Sequence, residues 1–200
     1  MIEKQGKLIV ISAPSGCGKT TIVEHLLKRN KNLARSISYT TREPRLGEAN
    51  GRDYFFVPPE DFKVKKQSGF FLESAQVFNH FYGTSKEFVK DTISSGIDIV
   101  LAIDVQGMKQ LKENKTSGIP IVSVFLMPPS HEDLKARLEK RKTETKAQVD
   151  ERLRIAELEM KEKDLYDFVV VNHTVNQAVS EIEEMIKNDR SNRGAFEKRK

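Results

Sequence analysis

Cysteine is nearly absent from the sequence, with one residue, Cys17, among 200. A single cysteine excludes an intramolecular disulfide and leaves no thiol cluster for a structural zinc ion. No apolar run approaches the roughly 18 to 20 residues that a membrane-spanning helix needs. The apolar run at residues 8–11 is also shorter than the core of a signal peptide, which has about 7 residues or more. We therefore expect a cytoplasmic protein that does not associate with membranes.

The charge is not dominated by one sign. The chain has 34 basic and 29 acidic residues, for a formal net charge of +5. Between residues 187 and 200 there are six basic residues and two acidic ones. We interpret this tail as a solvated end, because only Phe196 there could stack on a base. A nucleic-acid contact is the alternative, and no nucleic-acid partner is expected.

Strand and helix patterns alternate along the chain. Short β-branched or apolar runs predict strands at 7–12, 97–103, 121–127 and 168–171, and amphipathic patterns predict helices at 20–30 and 175–186. The runs at 97–103 and 121–127 are typical of strands buried on both faces of a parallel sheet. We therefore predict an α/β fold with right-handed crossovers.

Two segments interrupt this alternation. Residues 38–86 are rich in turns and aromatic side chains, whereas residues 130–165 contain ten basic and ten acidic residues. The second composition predicts a solvated, helical, lid-like segment.

The strongest local motif lies between the first predicted strand and the first helix, where a phosphate-binding loop would lie. Gly16 and Gly18 let the backbone approach an anion, and the helix N-terminus adds partial positive charge. Lys19 would reach the β- and γ-phosphates, and the Thr20 hydroxyl would bind Mg²⁺. The strict motif has glycine where this chain has Ala13. The segment reads Ala13, Pro14, Ser15, Gly16, Cys17, Gly18, Lys19 and Thr20.

The phosphate loop alone does not distinguish between a GTPase, an ATPase and a kinase. A regulatory GTPase is disfavoured because the guanine-binding motif Asn-Lys-x-Asp is absent from the sequence. Its closest match, Asn114-Lys115-Thr116-Ser117, lacks the aspartate that binds the base. Cys17 lies within the loop, where the helix N-terminus could lower its pKa. We interpret it as a bystander thiol.

Two further clusters lie within residues 38–86. Arg42 and Arg45, with Tyr54 nearby, could clamp one phosphate through bidentate hydrogen bonds. Glu73 follows an aromatic run, where an unused carboxylate would be costly. A carboxylate there suits guanine, whose N1–H and 2-amino donors lie on one edge.

Taken together, these motifs resemble the guanylate kinase family up to about residue 186. The motifs are the alanine variant of the phosphate loop, Ser-x-Thr-Thr-Arg-x-Pro-Arg, Gly-x-Asp-Tyr, Phe-Leu-Glu-x-Ala, Tyr-Gly-Thr-Ser and Asp-Val-Gln-Gly. The resemblance implies a P-loop NTPase-type parallel sheet flanked by helices, with an inserted GMP-binding domain and a helical lid. It implies transfer of phosphate from ATP to GMP with Mg²⁺ in purine nucleotide metabolism and GMP recycling, and use of dGMP. The implied boundaries are 1–37, 87–129 and 166–200 for the core, 38–86 for the GMP-binding domain and 130–165 for the lid.

The resemblance also implies a role for individual residues. The GMP phosphate would be bound by Arg42, Arg45, Tyr54 and Tyr82, and guanine by Ser38, Glu73 and Thr84. Asp104 resembles a carboxylate near the nucleotide, and Asn172 a residue near the adenine of ATP. The lid would close over the ATP phosphates with Arg137, Arg141 and Arg152.

The chain departs from the family pattern at Ala102, where a second acidic residue is common, and at Lys142, where glycine is common. Three alternatives remain. One is a non-catalytic phosphopeptide-binding module, disfavoured by the intact Gly18-Lys19-Thr20. The others are a kinase for another acceptor base and a nucleic-acid-binding protein. The sequence leaves open whether the chain is a monomer or a homo-oligomer.

Overall fold

The structure, a computed structural model, describes residues 5–77, 79–114, 118–140 and 145–197, with side chains described up to Asp189. The strands are β1 (Leu8–Ser12), β2 (Leu33–Arg35), β3 (Tyr39–Thr40), β4 (Phe55–Phe56), β5 (Phe71–Val77), β6 (His80–Ser85), β7 (Asp98–Ile103), β8 (Ile121–Met127) and β9 (Phe168–Val171). The helices are α1 (Lys19–Arg29), α2 (Pro59–Gln67), α3 (Lys86–Ser94), α4 (Val105–Glu113), α5 (His131–Glu139), α6 (Lys146–Met160) and α7 (Val175–Glu197), with a 3₁₀ turn at Lys163–Leu165.

The strands form two sheets. The larger has five strands in the order β2-β7-β1-β8-β9, and the pairs β2-β7 and β8-β9 are parallel. The smaller has four strands in the order β4-β3-β6-β5, and β6 is antiparallel to both neighbours. Parallel neighbours need crossover connections, and helices supply these here. The predicted α/β fold class is therefore confirmed.

The chain divides into two compact units. Unit 1 is Met1–Leu8 with Asn32–Pro120, and unit 2 is Ile9–Lys31 with Ile121–Lys200. The three-part division into core, GMP-binding domain and lid stays a prediction.

Unit 1 contains the four-stranded sheet, whose core is aromatic. The ring of Phe62, on α2, stacks against Phe71 at 4.5 Å and Phe81 at 5.6 Å. Helix α2 begins with a proline at its first position, where the ring fits the helix and no intrahelical hydrogen bond is lost, because an N–H there would have no partner within the helix. The turn-rich prediction for this segment missed α2 as an element.

Unit 2 contains β8, β9 and helices α1, α5, α6 and α7. Helix α5 is capped by the Ser130 side chain, and α6 begins with a capping box formed by Thr145 and Gln148. The segment 130–165 is helical as predicted, but it is not solvated on all sides. Leu134 and Leu138 of α5 are completely buried. They form an apolar face that packs against the rest of the unit, and such packing provides most of a helix's stability.

The last helix is longer than predicted. The apolar pattern indicated an end at Ile186, whereas α7 continues through the polar residues to Glu197. A helix that is already nucleated by the packing of its apolar face can continue past that face, because each added residue contributes another hydrogen bond. None of the helices in the described ranges is long and apolar enough to cross a membrane.

Candidate active site

The phosphate loop of unit 2 joins β1 to α1. Gly16 and Gly18 have φ angles of +93° and +85°, a region that glycine adopts without strain. The loop is tightened by a hydrogen bond from the Cys17 amide to the Pro14 carbonyl at 3.2 Å. Ala13, in place of the usual glycine, is buried at 4% exposure, so its methyl group is accommodated. The backbone therefore has the left-handed turns that a phosphate nest requires.

Helix α1 begins at Lys19, directly after this loop. Gly18 is the N-cap residue, and a glycine has no side chain that could accept from the first N–H groups. Thr20 is exposed in the first turn. These amide groups and the helix dipole favour an anion at this end of the helix.

Cys17 does not have the lowered pKa that a helix N-terminus could produce. Its side chain is completely buried, and burial raises the pKa of the thiol to about 12. Desolvation of the thiolate outweighs the nearby positive charges of Arg137 and Lys19. The thiol is therefore protonated and unreactive at neutral pH, as expected for a bystander.

Two of the predicted lid arginines form hydrogen bonds within unit 2, and one of these bonds is to the loop. The Arg152 guanidinium donates to the Ser15 hydroxyl at 3.2 Å, and that of Arg137 donates to the Asn172 carbonyl at 3.0 Å. A β-carbon at Gly16 would lie 2.8 Å from Cδ2 of Leu138, so α5 packs directly on the loop. The third predicted arginine, Arg141, lies outside the described residues.

In unit 1, Arg42 is held in a defined position. Its Nη2 donates to both carboxylate oxygens of Glu48 at 2.9 Å, and its Nη1 donates to the Glu43 carbonyl at 2.6 Å. The guanidinium carbon lies 5.5 Å from the Tyr54 ring centroid and 5.8 Å from that of Phe56. Planar faces and hydrogen bonds thus fix the guanidinium before any ligand binds.

Glu48 also accepts from the amide of Arg45 at 2.7 Å. Burial of the Glu48 carboxyl works against ionisation, but the hydrogen bonds from Arg45 and Arg42 prevail and lower its pKa. The side chain of Arg45 is exposed. Glu48 carried only a weak signal in the sequence, as a carboxylate in a loop of arginines, and we did not predict its role.

Two tyrosines lie beside this arginine, with the rings of Tyr54 and Tyr82 6.0 Å apart. Burial works against the charge on Arg42, but hydrogen bonds to Glu48 and Tyr82 prevail and raise its pKa. Burial raises the pKa of Tyr54, so this phenol is neutral and can donate a hydrogen bond at physiological pH. The structure therefore brings three of the four predicted phosphate ligands together.

The predicted base-reading carboxylate is buried. Glu73 is 4% exposed, and its Oε1 accepts a 2.5 Å hydrogen bond from the Thr84 hydroxyl. The two residues are directly opposite each other on β5 and β6. The strand register shifts between Phe71 and Glu73, and such an irregularity re-aims a side chain.

Gly107 of α4 lies between Asp104, which caps the helix, and the carboxylate of Glu73. The Asp104 carboxylate caps α4 by accepting from the Gly107 amide at 2.9 Å, while a β-carbon at Gly107 would lie 2.7 Å from Oε2 of Glu73. Gln110 of α4 bonds both main-chain groups of Ser74, at 3.0 and 2.7 Å. Helix α4 was not predicted, so the roles of Gly107 and Gln110 were missed. The motif Asp-Val-Gln-Gly contained the signal for Gly107, but nothing singled out Gln110.

Ser38, the other predicted base reader, precedes β3. Its carbonyl accepts from the Phe55 amide at 2.9 Å, and its side chain is partly exposed. Among the described residues, no three His, Cys, Asp or Glu side chains form a group that could hold a metal ion.

The parallel sheet, with a glycine loop between its strand β1 and helix α1, defines the P-loop nucleotide-binding class. The family model described as guanylate kinase matches residues 5–189. The chain belongs to the guanylate kinase family.

Relatives match it over nearly their whole lengths. A guanylate kinase from Wolbachia sp. subsp. Brugia malayi is 45% identical over 192 residues, which is 96% of this chain and 97% of the relative. One from Caldanaerobacter subterraneus is 45% identical over 185 residues, or 92% of this chain and 88% of the relative. The crystal structure of guanylate kinase from Anaplasma phagocytophilum superposes with a TM-score of 0.75 at 32% identity, covering 93% of this chain and 87% of that one.

Proposed function

We propose that this protein catalyses transfer of the γ-phosphoryl group of ATP to GMP, with dGMP as a second acceptor. The observation that carries the proposal is the buried carboxylate of Glu73, hydrogen-bonded to Thr84. Guanine offers the N1–H and 2-amino donors on one edge, whereas adenine lacks this pair. A buried carboxylate built to accept from substrate donors disfavours a base that cannot donate to it.

The phosphate of GMP would bind at Arg42, beside Tyr54 and Tyr82. Arg42 has more N–H groups than its bonds to Glu48 and Glu43 use, because a guanidinium carries five. Its fixed position lowers the entropy lost when a phosphate binds. Arg45, whose side chain is exposed, would add a second positive charge on the same phosphate.

The triphosphate of ATP would bind at the loop of residues 13–20. Amide groups at the start of α1 would contact its oxygens, with Lys19 at the β- and γ-phosphates. Arg137 and Arg152 extend from α5 and α6 to Asn172 and the loop, and they would stabilise the charge that develops during transfer.

Mg²⁺ fits this donor set. It prefers phosphate oxygens and water to an all-protein cage. Thr20 offers an exposed hydroxyl in the first turn of α1, where one protein ligand would suffice. When bound, the ion would neutralise negative charge on the β- and γ-phosphates.

The reaction needs little covalent chemistry from the protein. An oxygen of the GMP phosphate attacks the γ-phosphorus and forms a new P–O bond, while the bond from that phosphorus to the bridging oxygen breaks and ADP leaves. The phosphate attacks as its dianion, so no general base is required. The protein's contribution is to align the two phosphates, neutralise charge and exclude water.

A coupled assay of ADP release tests the proposal, with ATP and each nucleoside monophosphate in turn. GMP and dGMP should support turnover, and mass spectrometry should identify GDP and dGDP. AMP, CMP and UMP should give rates at least about 10²-fold lower. Equal rates with AMP would contradict the base assignment, and GMP binding without turnover would favour a binding module. A cytoplasmic location, a role in GMP recycling and the oligomeric state stay predictions or open questions.

A further inference from the structure

Asn172 lies at the end of β9, within unit 2. Its main-chain N–H donates to the Met127 carbonyl at 2.8 Å, which continues the pairing of β9 with β8. The residue is 4% exposed although its side chain is polar. A buried carboxamide needs hydrogen-bond partners, so its contacts show what its side chain does.

The side chain of Asn172 bonds the phosphate loop. Its Nδ2 donates to the Cys17 carbonyl at 2.8 Å, across 155 positions of sequence. The 17–18 peptide is trans, so its carbonyl and its N–H point in opposite directions. Fixing the Cys17 carbonyl towards Asn172 therefore aims the Gly18 N–H to the other side of the loop. An anion nest needs its N–H groups aimed to one side.

Two further contacts tie this residue to the donor site. A β-carbon at Gly18 would lie 2.9 Å from Nδ2 of Asn172, so the loop approaches the amide as closely as a glycine permits. The Asn172 carbonyl accepts from Arg137 at 3.0 Å. One residue thus holds the loop through its side chain and a lid arginine through its main chain.

We propose that Asn172 is a positioning residue for phosphate binding and acts on the triphosphate of ATP through the loop. This differs from the adenine contact that the family resemblance implies, and it rests on the proposed function. Without the Asn172 donor, the Cys17 carbonyl loses the hydrogen bond that orients the 17–18 peptide. The Gly18 N–H then no longer points consistently into the nest, and binding of any polyphosphate weakens, whatever base is attached.

Titration calorimetry with inorganic tripolyphosphate, ATP and adenosine, each with Mg²⁺, tests this role. In Asn172→Asp an acceptor faces the Cys17 carbonyl, and in Asn172→Leu a similar shape lacks the donor. Both variants should bind tripolyphosphate and ATP at least about tenfold more weakly, while binding of adenosine is unchanged. Asn176→Asp, an exposed change on α7, controls for the added charge and should bind all three normally.

Steady-state kinetics gives a second readout. The KM for ATP should rise in both variants, whereas the KM for GMP should stay constant and report that the protein is folded. If Asn172→Asp is unstable on heating, the neutral Asn172→Leu supplies the same comparison.

A loss confined to adenosine and ATP, with normal tripolyphosphate binding, would overturn the proposal in favour of an adenine contact. Unchanged binding of all three ligands would overturn it outright. Failure of the proposed function would give a different result, because the wild-type protein would then form no GDP from ATP and GMP. The tripolyphosphate comparison between wild type and variants still decides the role of Asn172 in that case.

Discussion

The hydroxyl group of Thr84 donates to Glu73 across the β5–β6 pair, so the buried carboxylate is already hydrogen-bonded in the absence of substrate. That bond orients the carboxylate without neutralising it. A guanine base could then supply two more donors, and each charge-assisted bond contributes roughly 1.5–3 kcal/mol.

Replacing Glu73 by glutamine should reduce kcat/KM for GMP by at least about 10²-fold, equivalent to about 2.7 kcal/mol. Glutamine keeps the shape but removes the charge and places a donor against the donors of guanine. The KM for ATP should barely change, and turnover of AMP should stay low or rise slightly. Steady-state kinetics with both acceptors measures this, with the exposed Glu60→Gln as the matched control. Near-normal GMP kinetics would show that Glu73 is structural.

Alanine at Gly107 should raise the KM for GMP about tenfold, because its β-carbon would lie 2.7 Å from the Glu73 carboxylate and 3.2 Å from Ile103. The carboxylate must move to relieve that contact. Alanine is otherwise favoured over glycine within a helix by about 1 kcal/mol, so a general loss of stability is not the expected cause. Thermal unfolding separates the two effects, and Lys112→Ala on the same helix should change neither. An unchanged KM would show that the carboxylate tolerates the shift.

Methionine at Lys19 should lower kcat by several orders of magnitude while the circular dichroism spectrum is preserved. The lost charge acts mainly on the transferring phosphoryl group, and electrostatic stabilisation of that kind often contributes more to catalysis than any other effect. Lys28→Met, an exposed change on the same helix, is the control. If Lys19→Met retains more than about a tenth of kcat, the loop is not the donor site.

Glutamine at Glu48 should destabilise the protein by about 1 kcal/mol at neutral pH and raise the KM for GMP, since Arg42 loses its anchoring carboxylate. The folded-state pKa of Glu48 is lowered, so its contribution is fully present above the unfolded pKa of about 4.3 and is lost as the pH falls through the folded value. The difference in unfolding free energy between wild type and variant, measured by denaturant unfolding, should therefore begin to shrink as the pH falls below about 4.3 and disappear below the folded-state pKa of Glu48. Glu43→Gln, in the same loop, should behave like wild type, because only its main chain contacts Arg42. A stability difference that persists at low pH would contradict this account.

Local patterns predicted the loop between β1 and α1. A β-branched strand, a glycine loop and a helix start are consecutive in sequence, so Gly16, Gly18 and Lys19 were assigned without knowledge of the fold. The strand at residues 121–127 was predicted with its observed bounds, because an apolar run between turn residues has few other solutions.

The elements that the patterns missed owe their form to packing. Helix α4 has a mixed composition, and the pattern did not show that Asp104 is its N-cap and accepts from the Gly107 amide. The contact of Asp104 with the nucleotide stays a prediction. The pKa of Cys17 could not be derived from its position at a helix N-terminus, because that is a local feature, whereas burial by distant residues decides the cost of a thiolate.

The sequence by itself determined which side chains this protein has. It also determined the loop of residues 13–20, because residues that are adjacent in the chain are adjacent in space. Only the tertiary structure decided how those groups are held. The amide that orients the Cys17 carbonyl comes from Asn172, 155 positions away, and the amide that secures Ser74 beside Glu73 comes from Gln110, 36 positions away. Such bonds form because folding buries polar groups that must find a partner, and which partner lies within 3 Å depends on how helices and strands pack.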